Sequence, residues 1–332
     1  MKPPVTIDDV ARLAGVSPKT VSRVVNAEAH VRDATREAVH EAIAALGYRP
    51  NLAARSLASS RSMLIGLISM RLDAYIFRAM HSHGVRACRE RGLHLIVEEL
   101  DTLGSDTLRY LENSLRQMRF DGVIVSQLSD QPEILDLLER MQVRYVRISP
   151  TTDHGRADSV TSNVDHGLKL LAEHLYSLGH RHIAVASPRK RWRNVMRDAL
   201  IELGCSPSQI LSLPVNWRKT PVEAGLDIGA AILSQRQRPS AVYAFNDEMA
   251  AGLINYAWAH GIHVPRDLSV AGFDDGEMAR AVWPPITTVH QPLDEMVRAA
   301  VALLAEPAAH GKPREVVCPV QLVVRESTAA AQ

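Results

Sequence analysis

Residues 6–26 read TIDDVARLAGVSPKTVSRVVN, and this stretch decides the fold of the N-terminal region. Thr6-Ile7-Asp8-Asp9 has the hydroxyl–x–x–carboxylate form that caps a helix N-terminus reciprocally. Behind it Ile7, Val10, Ala11 and Ala14 recur at helical spacing, and Gly15 is the residue type that ends a helix in a left-handed conformation. Ser17-Pro18 then offers an N-cap hydroxyl and a proline at the first helical position. In the second helix, Pro18 to Val25, the side chains of Val21, Val24 and Val25 turn inward, which leaves Lys19, Thr20 and Arg23 outward. A third helix from about Ala34 to Leu46 buries Ala38, Val39, Ala42, Ile43 and Leu46. Two short helices joined by a glycine turn make a helix-turn-helix, whose second helix offers its N-terminal residues to the major groove.

Charge is distributed in keeping with that. The 332-residue chain has a formal net charge of +1, yet residues 1–61 carry nine Lys/Arg against six acids. A basic head on a slightly acidic body suits nucleic-acid contact by the head. Hydrophobic residues make up 46% and charged residues 23%, the composition of a soluble globular protein with room for one small and one larger domain. Cys88, Cys205 and Cys318 are odd in number and far apart, so neither a disulfide framework nor a metal-ligand cluster is expected. The N-terminus MKPPVTIDDV has no apolar signal core and no run is long enough to span a bilayer, so a cytoplasmic location without membrane contact is expected.

From Met63 onward the texture changes. MLIGLIS, LHLIVEEL, GVIVSQL, YVRIS, IAVAS, AVYAF and LSVAGFDD are short, often β-branched runs that read as strands buried on both faces, with helical stretches between them. That alternation predicts an α/β core of two parallel sheets in two lobes, with a ligand site beyond the strands' carboxyl ends, in the cleft between the lobes.

The opening string, followed by TREAVHEAIAALGYRPNLAARSLAS at residues 35–59, resembles the DNA-binding head and hinge of the lac repressor family. Further landmarks of that family are FDGVIVS, SLGHRHIAVAS, PSAVYAFNDEMAAG, DLSVAGFDD, PPITTVHQP and VQLVVREST. The resemblance covers nearly the whole chain and implies a sequence-specific transcription regulator, most simply a repressor. Its core would resemble a periplasmic sugar-binding protein. The implied organisation is a head at 1–50, a hinge at 51–61, an effector-binding and dimerisation core at 62–326 and a tail at 327–332. By the same resemblance the DNA-contacting positions are Thr6, Ser17, Pro18, Lys19, Thr20, Ser22, Arg23 and Asn26 on the head, with Asn51, Ala54, Arg55 and Leu57 on the hinge. Lys and Arg suit guanine O6/N7, and Ser and Thr suit phosphates or bases. The hinge, too short to be a stable helix in water, would fold on DNA, with Leu57 either a minor-groove wedge or an interdomain packing residue.

Effector contacts implied in the same way are Asp73, Tyr75, Gln127 and Arg147 in the first lobe, and Trp217, Asn246, Asp247 and Asp274 in the second. Asp247 is open between ligand contact and capping a helix that begins at Glu248; Asp275 is read as a cap for the next segment. The chain departs from the family at three places. Arg32 stands where a small cap precedes the third helix, so that Asp33 is expected to cap it or Arg32 to meet phosphate. Ser149 stands where the family has an aspartate. SPRKRWRNVMRDAL replaces a loop ending in a ligand-binding arginine, which puts Trp192 at that place beside Arg191 and Arg193. Arg147 and Arg193 from opposite lobes then suggest a clamp on an anionic effector, the alternative being that RKRWR is a solvated loop and Arg147 is paired with an acid of the core. The expected partners are double-stranded operator DNA, a second copy of the chain, and a sugar, sugar acid or phosphosugar in preference to a purine. No cofactor or metal is expected. A dimer rather than a tetramer is expected, since no heptad tail follows VVREST.

Two rivals are disfavoured. An enzyme would need a constellation such as GxSxG, Walker A or HExxH, and none is present. Asp274-Asp275, read as successive strand residues, would point to opposite faces, and of the candidate metal pairs His81/His83 and His180/His182 the latter falls in a turn before a strand with no third ligand at metal-site spacing. A solute-binding protein would suit the core but would have no helix-turn-helix.

Overall fold

The chain divides into two compact units: a smaller one that runs to Leu64 and takes in Met118–Asp121, and a larger one made of the rest. The structure, a computed structural model, describes residues 5–25, 31–48, 61–70, 74–100, 103–126, 130–150, 155–216, 219–307 and 311–332. In the smaller unit α1 (Ile7–Ala14), α2 (Pro18–Val25) and α3 (Asp33–Leu46) close on a core of Val10, Ala11, Val21, Val24, Val39 and Ala42. The caps read from sequence are present: Thr6 and Asp9 form the reciprocal box, and Gly15 ends α1 at φ 66°. At α3 the expected cap does not form. Arg32 is the cap residue with no side-chain bond, and Asp33 is already the first helical residue.

The larger unit is α/β. Its first lobe carries β1 (Leu64–Met70), β2 (His94–Leu100), β3 (Gly122–Val125), β4 (Tyr145–Ile148), β5 (Ser159–Ser162) and β11 (Glu315–Cys318), in the order β11-β5-β4-β3-β1-β2. β1 runs parallel to β3, β3 to β4, β4 to β5 and β5 to β11. The helices α4 (Ala74–Glu90), α5 (Ser105–Met118), α6 (Pro132–Arg140) and α12 (Leu293–Ala305) accompany this sheet. The second lobe has a parallel sheet in the order β7-β6-β8-β9, from β6 (Ile183–Ser187), β7 (Ile210–Pro214), β8 (Ala241–Ala244) and β9 (Ser269–Ala271). Around it lie α7 (Val164–Ser177), α8 (Lys190–Glu202), α9 (Pro221–Leu233), α10 (Asp247–Ala259) and the short α11 (Glu277–Ala281). β10 (Thr288–His290) pairs antiparallel with β12 (Gln321–Val323). The chain therefore passes between lobes after β5, after β10 and after β11. Every residue of β3, β4, β6 and β8 is buried, which is why these runs are largely apolar rather than alternating, Arg147 of β4 being the charged exception.

Two sequence boundaries need correction. The RKRWR run is no loop: Lys190–Glu202 is helical, and Trp192, Met196, Ala199 and Leu200 form its buried stripe. Nor do residues from 327 form a separate tail. The Ser327 hydroxyl donates to Val270 O at 2.5 Å, Ala329 N donates to Ser269 Oγ at 3.0 Å, and Ala331 N donates to Leu178 O at 2.7 Å. Among the described residues no helix is long and apolar enough to cross a membrane.

α9 and α10 meet backbone to backbone. A Cβ on Gly225 would lie 2.2 Å from Met249 O, and one on Gly252 would lie 2.2 Å from Val222 O. Those oxygens are main chain and cannot rotate aside, so only glycine permits the approach. Gly252→Ala should lower the unfolding free energy by about 3 kcal/mol, at the upper end of overpacking costs. Urea denaturation checks this; a loss below about 1 kcal/mol would mean that the helices slide apart freely.

Candidate functional site

The head presents one polar face. Ser17 Oγ accepts Thr20 N at 3.2 Å and lies 2.9 Å from Thr20 Oγ1, so these two hydroxyls fix the start of α2. With Val21 and Val24 buried, Lys19 and Arg23 stand exposed four residues apart on the same helix face. Pro18 is exposed beside them, while Ser22 is half-buried. Thr6 donates its hydroxyl to Asp9 Oδ2 at 2.8 Å, and the bonds from Thr6 hold the Asp9 carboxyl below its ordinary pKa. The expected contacts Asn26, Asn51, Ala54, Arg55 and Leu57 lie outside the described residues.

In the larger unit, the carboxyl ends of β1, β3, β4 and β8 open on a chamber of about 50 Å³. Its lining includes aromatic and aliphatic side chains: Phe77, Met80, Ile148, Trp192 and Phe245. Trp192 is 6% exposed and tilts against Phe245 and Phe273, with ring centroids 4.9 and 5.1 Å apart. It also includes polar ones: Ser69, Ser126, Ser149, Asp274 and Gln291. Ser126 Oγ donates to Ser69 Oγ at 3.2 Å; Gln291 Nε2 donates to Asp274 Oδ1 at 2.5 Å, and Gln291 Oε1 accepts Ser162 Oγ at 2.7 Å. A ring with an apolar face and a hydroxylated edge suits such a mixed lining. A wider cavity of about 520 Å³ shares Ser149 and Trp192 with the chamber and is lined by Arg189, Lys190, Arg191, Asp165 and Glu315 among others.

Asp274 is aimed by unusual backbone. Asp274 and Asp275 follow β9 and both adopt left-handed conformations, φ 101° and 55°, at a cost of order 1–3 kcal/mol each. The strand alternation expected for this pair therefore does not apply. The capping alternatives also resolve: Asn246 caps α10 by accepting Met249 N at 3.0 Å, and Asp247 is the first helical residue. Asp247, 2% exposed, accepts Gly276 N at 2.8 Å and the Thr288 hydroxyl at 2.6 Å; burial pushes its carboxyl up to about 7 in spite of those bonds. Asp275 does not cap α11, whose cap residue is Gly276. It pairs with Arg325 at 2.6 Å and His290 at 3.1 Å. Tyr75, from the first lobe, packs on that turn: a Cβ on Gly276 would come within 3.1 Å of its ring. Burial and the charges of Asp274, Asp247 and Asp275 push its phenol up to about 12.

The anionic clamp is not formed. Arg147 and Asp130 are both wholly buried and joined by two bonds, Nε to Oδ1 at 2.6 Å and Nη2 to Oδ2 at 2.8 Å, inside the first lobe. Arg193 donates to the carbonyl of Ser187 in its own lobe, and Arg191 pairs with Asp165 at 2.8 Å. Of that run it is Trp192 that lines the chamber. Asp73, Gln127 and Trp217 lie outside the described residues. Sequence reasoning missed Ser69, Phe77, Ser126, Phe245 and Gln291. Phe245 carried a signal, since it directly precedes Asn246 at a strand end; the serines carried none. Asp130→Ala should cost about 3–5 kcal/mol of stability, because it leaves the Arg147 charge buried without its carboxylate. An unchanged urea midpoint would place Arg147 in the cleft after all.

Two family models match the chain: bacterial regulatory proteins of the lacI family over residues 6–51, and a periplasmic binding protein-like domain over residues 172–328. The HTH-type transcriptional repressor PurR of Vibrio atlanticus (strain LGP32) is 31% identical, over 91% of this chain and 91% of its own length. The HTH-type transcriptional regulator DegA of Bacillus subtilis (strain 168) is 30% identical over 97% and 98%. Among solved structures, the lac repressor dimer bound to operator and the anti-inducer ONPF superposes with a TM-score of 0.78 at 27% identity, covering 99% of this chain and 100% of that one. The CelR–cellobiose complex gives 0.70 at 27%, over 97% and 99%. The chain thus belongs to the lacI family of bacterial regulatory proteins, as a DNA-binding transcriptional regulator and not an enzyme.

Proposed function

We propose that the chain is a cytoplasmic repressor that binds a near-palindromic operator as a homodimer and is switched by a neutral sugar held in the chamber. The observation that carries the ligand assignment is that Trp192 and Phe245 line the chamber together with Asp274 and Gln291. Aromatic rings suit the C–H face of a sugar ring, and a carboxylate and an amide suit its hydroxyls. The engagement of Arg147 and Arg193 elsewhere removes the reason to expect an anion there. A solved relative in complex with cellobiose supports the sugar reading. The dimer reading is supported by the relative solved as a dimer on its operator, and by the need of a small head for two half-sites.

Calorimetry against neutral sugars, their acids and phosphates, and purine bases tests the ligand. A neutral sugar should bind, and Trp192→Ala should weaken it at least tenfold, about 1.4 kcal/mol. Binding confined to anions or to purines would overturn the assignment.

On DNA, Lys19→Ala should cost about 1–3 kcal/mol and relax preference at one or two base positions per half-site. A uniform loss across all sequences, read by gel shift on operator variants, would make Lys19 a phosphate contact instead. For the hinge, Leu57→Ala should reduce DNA bending without changing effector affinity, and equal bending in a circular-permutation assay would remove the wedge role.

A further inference from the structure

We propose that Arg325, close to the C-terminus, is a positioning residue for the effector chamber: through Asp275 it fixes the left-handed turn that aims the Asp274 carboxylate. The inference rests on reading the chamber as the effector site and adds a residue that touches no ligand.

Arg325 follows β12 and is fastened at both its backbone and its side chain. Its N–H donates to Thr287 Oγ1 at 2.9 Å, and its carbonyl accepts the same hydroxyl at 3.1 Å. The guanidinium then divides: Nη1 donates to Ile286 O at 2.8 Å, and Nη2 donates to Asp275 Oδ1 at 2.6 Å. The two paired side chains are only 15% and 11% exposed, so the bond is charge-assisted and largely out of water.

Asp275 sits in the middle of the strained turn. On one side Asp274 N is held by Val289 O at 2.9 Å; on the other Gly276 N is held by the Asp247 carboxylate at 2.8 Å. These bonds secure the flanks. The Asp275 carboxylate anchors the centre, with Arg325 at 2.6 Å, His290 at 3.1 Å and Arg280 at 3.6 Å around it. A left-handed aspartate relaxes unless its surroundings over-determine it. Arg325 reaches it from a segment held independently, since Ser327 bonds Val270 O and accepts Thr287 N at 2.8 Å. Removing the guanidinium therefore frees the turn without undocking the chain end. Because Tyr75 of the first lobe packs on Gly276, the same anchor sets where the lobes touch at this edge of the cleft.

Hydrogen exchange on the full chain tests this with no ligand. In Arg325→Gln the amides of Asp274, Asp275 and Gly276 should exchange at least tenfold faster, those of β6 and β8 should be unchanged, and Arg325→Lys should restore part of the protection. Unaltered exchange in the turn overturns the proposal, and so does a loss spread equally over β6 and β8, which would mark a merely structural residue. Calorimetry with D-glucose, D-galactose and cellobiose supplies the second arm. Any of these that binds the parent should bind Arg325→Gln at least tenfold more weakly, with Arg325→Lys intermediate. Equal binding by parent and Arg325→Gln overturns the positioning role while the chamber reading stands. Binding of none of them to the parent counts against the chamber reading, and the exchange result then decides the turn alone.

Discussion

The carboxylate of Asp247, buried at the first position of α10, is the interaction around which the second lobe's side of the cleft is built. It accepts the Gly276 amide and the Thr288 hydroxyl, and so ties the start of one helix to the turn after β9 and to β10. A buried carboxylate left without such donors is costly, which is why burial drives its pKa up. With the donors in place it is a bracket. The turn it braces can then hold two consecutive aspartates in left-handed backbone, and Asp274 is presented to the chamber instead of folding back along the sheet.

Legibility in the sequence followed the range of the interaction. The helix-turn-helix was written in contacts no more than four residues long: Thr6 with Asp9, Gly15 with Ala11, Ser17 with Thr20. Runs such as IAVAS and AVYAF declared themselves because a strand covered on both faces must be apolar throughout. β10 and β12 did not, because three residues such as Thr288–His290 have no period of their own and become a strand only by pairing with a segment some thirty residues on. Arg147 stayed open between ligand and acid for the same reason. On a strand end an arginine fits either equally well, and its partner, Asp130, lies seventeen residues back in the chain. The helical stripe of Trp192, Met196, Ala199 and Leu200 was legible in principle, but the charge of RKRWR masked it.

An indole at Trp192, where the family resemblance implies an arginine, changes more than one contact. A guanidinium at that place would bring charge and five donors to the ligand; an indole brings area and excludes water. The surrounding cations have been turned aside to match, Arg193 to a backbone carbonyl, Arg191 to Asp165, and Arg189 over the Trp192 ring at 5.9 Å. Positive charge therefore lines the wider cavity, and among the described residues the chamber is left to aromatic faces and neutral donors around the Asp274 carboxylate.

That carboxylate is not isolated from the rest of the unit. Asp274 accepts from Gln291, and Gln291 accepts from Ser162. Ser162 ends β5, where the chain first leaves the first lobe, and Gln291 follows β10, where it returns. Two residues of the chamber's lining, Asp274 and Gln291, are thus linked in one hydrogen-bonded chain with two of the interlobe crossings. A donor arriving at Asp274 must share or displace the Gln291 amide, and any adjustment of Gln291 acts directly on a segment that joins the lobes. A ligand shifts a conformational equilibrium only by its differential interaction with the two states. With the chamber as the proposed effector site, the group that would meet the ligand and the group at the interlobe crossing are hydrogen-bonded neighbours, which is the arrangement such a difference requires.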